Sequence, residues 1–295
     1  MLEELEKETL EKIAADAQSY ADVFALPLSD HYWRGNVGEF AGSGVGSSLD
    51  FQDHRAYQPG DDPRHINWQA YARTGNYSMK LYREEVRPLV DIIFDVSDSM
   101  FFDPDKQTRA LELFYFAQYA AVKGGASVST FLVKGNRSVP LDSSAVIFHQ
   151  WLDLAKALPA TDSSAAAEFS QLPFRSQSLR IFISDLLFPG DPEMSFRELL
   201  QGKGRPSVWC PYSTSESSPQ WNGNYEFLDA ESQTRHNHRV DRNLLGRYLR
   251  AYQRHFDLWK TTALRHRISV ARIASDSKFE EAVRREAVPL NAIHM

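Results

Sequence analysis

Three residues set the chemical question. Asp95, Ser97 and Ser99 hold alternate positions of Asp95-Val96-Ser97-Asp98-Ser99, directly after the apolar run Leu89-Val90-Asp91-Ile92-Ile93-Phe94. A turn leaving a strand end can aim alternate side chains at one point. A carboxylate and two hydroxyls then offer hard oxygen ligands, the type that Mg²⁺ or Mn²⁺ selects. Neutral hydroxyls leave such a cation under-neutralised, and an open coordination position then favours an Asp or Glu arriving from another protein. A second apolar run, Leu179-Arg180-Ile181-Phe182-Ile183, carries Ser184-Asp185 to a strand end of the same kind. Asp185 would complete the shell directly or through water. Thr161, in Pro159-Ala160-Thr161-Asp162, would add a third hydroxyl, a role that Ser163 or Ser164 can also fill.

Two other readings compete. Ser97 or Asp98 can simply cap a turn or helix. The bare pattern Asp-x-Ser-x-Ser arises by chance on the order of 0.1 times in a chain this long, and its place after an apolar strand lowers that further. Alternatively, Asp95 can be the nucleophile of a Mg²⁺-dependent phosphohydrolase. Such enzymes with this geometry usually carry a second carboxylate two residues on for acid–base work, and Ser97 cannot do that. The sequence also has no Walker Gly-x-x-x-x-Gly-Lys-[Ser/Thr], no His-Glu-x-x-His and no Gly-x-Ser-x-Gly. His236 and His238, in Arg-His-Asn-His-Arg, read as unliganded histidines of a polar loop rather than as a transition-metal pair.

The elements that would position these residues are legible in the hydrophobic rhythm. From Leu89 onward, buried strands alternate with helices: strands at 89–94, 128–133, 179–184, 207–210 and 268–273, and helices at about 105–123, 146–158 and 241–266. This pattern predicts an open, mainly parallel sheet with helices on both faces. In such a sheet ligands bind beyond the carboxyl ends of the strands, where strand order reverses. Asp91, inside a buried run, needs a partner. Before this part, residues 2–24 read as an amphipathic helix. Residues 29–85 read as a β-rich or irregular annex, full of turn signals such as Gln58-Pro59-Gly60-Asp61-Asp62-Pro63-Arg64. The chain thus divides into 1–87, helix plus annex, and 88–295, the α/β domain. Arg55, Arg64 and Arg73 can pair with Asp61 and Asp62 to pin the annex, and Trp68 and Tyr71 read as packing anchors.

Composition bounds the rest. The 295 residues are 42% hydrophobic and 24% charged, with a formal charge of −6, which argues against nucleic acid as the main partner. Arg235, Arg239, Arg242, Arg247, Arg250 and Arg254 gather near the end but read as a solvated helix face. Cys210 is the only cysteine, so a Cys-rich zinc site is excluded. The acidic, amphipathic start is unlike a secretory signal, and no run approaches the ~18 apolar residues that span a bilayer. A cytoplasmic protein without membrane insertion is the expectation.

The metal-site residues resemble the metal-ion-dependent adhesion site of von Willebrand factor A domains, with Asp-x-Ser-x-Ser after the first strand, a Thr in a later loop and an Asp after a further strand. Beyond that site, the chain is similar to the family named domain of unknown function 58. The similarity rests on the block from Phe51 to Trp68, on Ala72-Arg73-Thr74, on Asp95 to Met100, and on Leu228-Asp229-Ala230-Glu231. Asn67 stands where an Asp often precedes the Trp. The resemblance implies a von Willebrand factor A-like domain acting as a non-catalytic partner of a MoxR-type AAA+ ATPase, in the maturation or assembly of protein complexes.

Overall fold

The computed structural model describes residues 5–28, 49–84, 87–158, 167–230 and 233–295. The chain forms two compact units, Ser29–Arg87 and a larger one made of Met1–Leu28 with Pro88–Met295. The amphipathic helix α1 (Lys7–Val23) belongs to the larger unit, not with the annex as its place in sequence suggested. Its stripe of Leu10, Ile13, Ala14, Ala17 and Ala21 is buried, at the three- and four-residue spacing of one helix face.

The smaller unit is an antiparallel pair, β1 (Leu49–Ala56) and β2 (Ser78–Glu84), with a register shift between Phe51 and Asp53. Between the strands lie one 3₁₀ turn and the helix α2 (Trp68–Thr74). Asp62 caps the turn by accepting from the Arg64 N–H at 2.9 Å. Asn67 caps α2 by accepting from Ala70 N–H at 3.1 Å, a role for which Asn is among the preferred residues. Gly75, at φ 71°, supplies the left-handed residue that ends α2. The acids of the turn pair locally: Arg55 grips Asp61 with two bonds of 2.8 and 2.6 Å, and Arg64 meets Asp62 at 2.6 Å. Trp68 is no buried anchor. It stands 57% exposed, edge-on to Tyr71 and Tyr77, which stack on each other at 4.4 Å.

In the larger unit the alternation becomes a six-stranded sheet. In chain order its elements begin with β3 (Leu89–Asp95), α3 (Pro104–Lys123), β4 (Ser127–Lys134) and β5 (Arg137–Leu141). The short helices α4 (Ser143–Ile147) and α5 (Trp151–Ala157) follow, then β6 (Leu179–Ile183), α6 (Pro192–Leu200) and β7 (Arg205–Tyr212). After the turn α7 (Thr214–Ser217) comes a separate hairpin of β8 (Gly223–Leu228) and β9 (Arg235–Val240). The long helix α8 (Arg242–His266), β10 (Ser269–Ala274) and the terminal helix α9 (Phe279–Ala282) complete the unit. The sheet order is β10-β7-β6-β3-β4-β5, parallel throughout except for β5 at the edge. This is the mixed α/β architecture, with a mainly parallel sheet and helices, that the sequence rhythm predicts.

Alternation along β3 feeds two cores. Val90, Ile92 and Phe94 join the cluster containing α1, α3 and α5, whereas Ile93 joins the cluster containing α6 and α8. By the same period Asp91 and Asp95 share the face of Ile93. Two further sequence readings are corrected. The helix expected at 146–158 is two helices, broken near His149 at φ 57°. His236 and His238 lie in strand β9, not in a polar loop. The crossover helix α6 and the hairpin were not anticipated at all. Among the described residues, no helix is long and apolar enough to cross a membrane.

Candidate functional site

The chain runs from β3 outward through β4 and β5, then returns to the other side of β3 with β6 and continues to β7 and β10. Strand order therefore reverses between β3 and β6, and the loops leaving these two strands flank the resulting crevice. The parallel register sets Phe94 opposite Ile183. One step further places Asp95 beside Ser184, with Asp185 next in line.

Side-chain contacts follow that register. Ser184 Oγ donates to Asp95 Oδ2 at 2.7 Å, and the Ser97 N–H donates to Asp95 Oδ1 at 2.9 Å. Ser97 Oγ and Ser99 Oγ stand 3.3 Å apart, both residues half-buried. Ser97 occupies the cap position of the 3₁₀ turn Asp98–Phe101, yet its hydroxyl makes no capping bond. Asp98 is drawn away by Lys134 at 2.9 Å. The helix cap nearby is Asp103, which accepts from Asp105 and Lys106 N–H groups. Capping is thus done by a residue outside the Asp-x-Ser-x-Ser pattern.

Burial governs the electrostatics here. Asp95 is 2% exposed, and no cation pairs with it among the described residues. Burial, then the charge of Asp185, pushes its carboxyl up to about 7, against the smaller lowering effect of the Ser184 and Ser97 bonds. The Asp185 carboxylate is held differently. Its Oδ1 accepts from the Leu187 N–H at 3.0 Å, and its Oδ2 from Lys106 Nζ at 3.0 Å. Lys106 also bonds Glu216 in α7, and is itself 1% exposed. Burial pulls the ammonium pKa down, but Asp185 and Glu216 more than reverse this and hold it above its ordinary value. Burial raises the Glu216 carboxyl, with Lys106 opposing.

The loop after Asp185 is bent by an uncommon conformation. Leu186 is fully buried at φ 58°, in the left-handed region that a leucine rarely enters. Its N–H donates to Ser184 Oγ at 3.1 Å, and its carbonyl accepts from His255 Nε2 at 2.7 Å. Cys210 donates to the Asp185 carbonyl at 3.3 Å. Burial pushes its thiol up to about 12, which makes it inert at neutral pH.

Of the residues singled out in the sequence, Asp95, Ser97, Ser99 and Asp185 lie at the ends of the two adjacent strands. Thr161 lies outside the described residues, as do Ser163 and Ser164. Among the described residues no cluster of three or more His, Cys, Asp or Glu forms, so a cation here would rest on two carboxylates and hydroxyls. Asp95 fits such a cation. It is a buried carboxylate bonded only by neutral donors, next to two converging hydroxyls. Asp185 fits less directly, because an ammonium already sits on it. Sequence reasoning missed Lys106, although a signal was present. Lys106, Ala110, Leu113 and Ala117 form one helix stripe, and a lone charge on an apolar stripe must find a buried partner.

The family model described as protein of unknown function DUF58 matches residues 53–257, more than two thirds of the sequence, and the chain belongs to that family. No curated protein and no solved structure matches it.

Proposed function

We propose that this protein is a non-catalytic binding module with a von Willebrand factor A-like α/β domain. Asp95, Ser97 and Ser99 hold Mg²⁺ or Mn²⁺, and Asp185 and Thr161 complete the site directly or through water. The cation's role is to accept an acidic side chain from a partner protein. The resemblance noted above makes a MoxR-type AAA+ ATPase the partner of first choice, in maturation or assembly of protein complexes. The observation that carries this reading is Asp95: buried, bonded to two neutral donors, and without a counter-cation among the described residues, at the reversal point of the sheet. A buried carboxylate in that state calls for a proton or a cation. Capture of a candidate ATPase by the immobilised chain, with Mg²⁺ and then with EDTA, tests it. Loss of capture in EDTA and in Asp95→Ala is expected, and equal capture in all three sinks the metal bridge.

A second reading, a scaffold with a vestigial metal site, is favoured by one observation. Lys106 already neutralises Asp185 from within the chain. Calorimetric titration with Mg²⁺ separates the two readings, since the scaffold shows no site-specific heat. A phosphohydrolase is the least supported, because Ser97 stands where an acid–base carboxylate is required. Metal-dependent turnover of a phosphoester panel would restore it.

A further inference from the structure

A second surface surrounds the N-terminal half of α8. In the β8–β9 hairpin Tyr225 pairs with His238 and Phe227 with His236, so alternation puts these four rings on one face. Phe227 and His238 meet Leu244 and Tyr248 of α8, with Trp221 at the end, around an apolar cavity of about 230 Å³. Leu244 and Tyr248 also line an adjoining groove of about 440 Å³, whose other wall is Arg247, Arg250 and Arg254. These three arginines recur at three and four residues and share one helix face. All are exposed, and none has an ion pair among the described residues, whereas Arg235 of the hairpin is paired with Glu226 at 3.1 Å. Like charges at this spacing repel one another, so an anion laid along the row is favoured.

We infer that this surface docks an acidic segment of a partner protein. One large apolar side chain of the segment enters the aromatic cavity, and its flanking carboxylates meet Arg247, Arg250 and Arg254. The cavity falls below the ~300–1,000 Å³ of sites that enclose a whole small ligand, and suits a single side chain. Tryptophan, tyrosine and arginine are the residues that anchor protein interfaces. The formal charge of −6 gives the chain no general attraction for nucleic acid, so the basic row matches a local acidic partner. None of these residues belongs to the Asp95 site. The surface therefore acts without a metal ion.

The test is panning of a random-peptide phage library on the full chain in EDTA, in parallel with the variant Arg247→Glu/Arg250→Glu/Arg254→Glu. The milder variant R247Q/R254Q, checked for fold by circular dichroism, replaces it if charge reversal disturbs the helix. Expected is a consensus of several Asp or Glu around one Leu, Phe or Trp. The top peptide, fluorescein-labelled, should bind the native chain and lose about tenfold or more in affinity on the variant. No such consensus, full binding by the variant, or tighter binding of a single-stranded DNA oligonucleotide than of the peptide would overturn the inference. Because EDTA is present throughout, failure here is distinct from failure of the metal bridge.

Discussion

Asp91 and Asp95 sit four residues apart on the same strand and the same face, both buried, yet their surroundings differ in kind. Asp91 receives Arg175 Nε at 2.8 Å, the Arg175 N–H at 3.2 Å and Ser178 Oγ at 2.6 Å. The guanidinium is itself pinned to the Val90 carbonyl at 2.6 Å. A buried acid with its own cation and hydrogen bonds closing both oxygens is a structural solution. Asp95 has hydrogen bonds on both oxygens but pairs with no cation among the described residues, and Lys106 serves Asp185 and Glu216 instead. The acid within the strand is thus compensated by its own cation, whereas the acid at its carboxyl end has none among the described residues. A uniform description of buried acids as core residues misses this; the counter-cation distinguishes them.

The largest test of that contrast is Arg175→Ala. It strands the Asp91 charge and is expected to cost about 3–5 kcal/mol in urea denaturation. A cost below about 1 kcal/mol would mean that Asp91 never depended on its cation, and the two acids would be alike. Next comes Lys106→Met, which leaves Asp185 and Glu216 facing each other. A loss of about 3 kcal/mol is expected. Saturating Mg²⁺ should restore part of it, up to about 2.7 kcal/mol at a hundredfold excess over Kd. Absence of any recovery would exclude Asp185 from a cation site.

The third test is the pH profile of the metal-free chain. The folded Asp95 carboxyl lies at about 7, above its ordinary 3.8, so the folded state binds the proton more tightly than the unfolded one. Its contribution to stability is fully present below about pH 4, is lost as pH rises towards about 7, and changes no further above that. The amount is a few kcal/mol at most. Thermal melts of Asp95→Asn should lack this slope, and Mg²⁺ should flatten it in the native chain. An identical slope in the variant would place the titration elsewhere. The smallest effect is expected for Ser99→Ala: about tenfold weaker Mg²⁺ binding by calorimetry, with the melting temperature unchanged. Unaltered affinity would remove that hydroxyl from the ligand set.

Much of the sheet could be read before any coordinates, because a strand buried on both faces leaves an unbroken apolar run. Leu89–Asp95 and Leu179–Ile183 announce themselves in this way. The Ser143–Ala157 region did not. Its break falls at a left-handed His149, whose Nδ1 and the Tyr115 hydroxyl lie 2.5 Å apart in a hydrogen bond made across the fold. The hairpin after α7 was also hidden. Its strands are largely exposed and rich in His, Asn and Arg, so they lack the apolar alternation that marks a strand.

By itself the sequence determined which residues end strands as acids and hydroxyls, because residue type and hydrophobic period are local properties that survive without a partner. Only the tertiary structure decided which acid keeps a counter-cation. Lys106 reaches Asp185 across 79 residues and Glu216 across 110, and Arg175 reaches Asp91 across 84. Charge compensation in a low-dielectric interior depends on distance in space, and spacing along a chain carries no information about it.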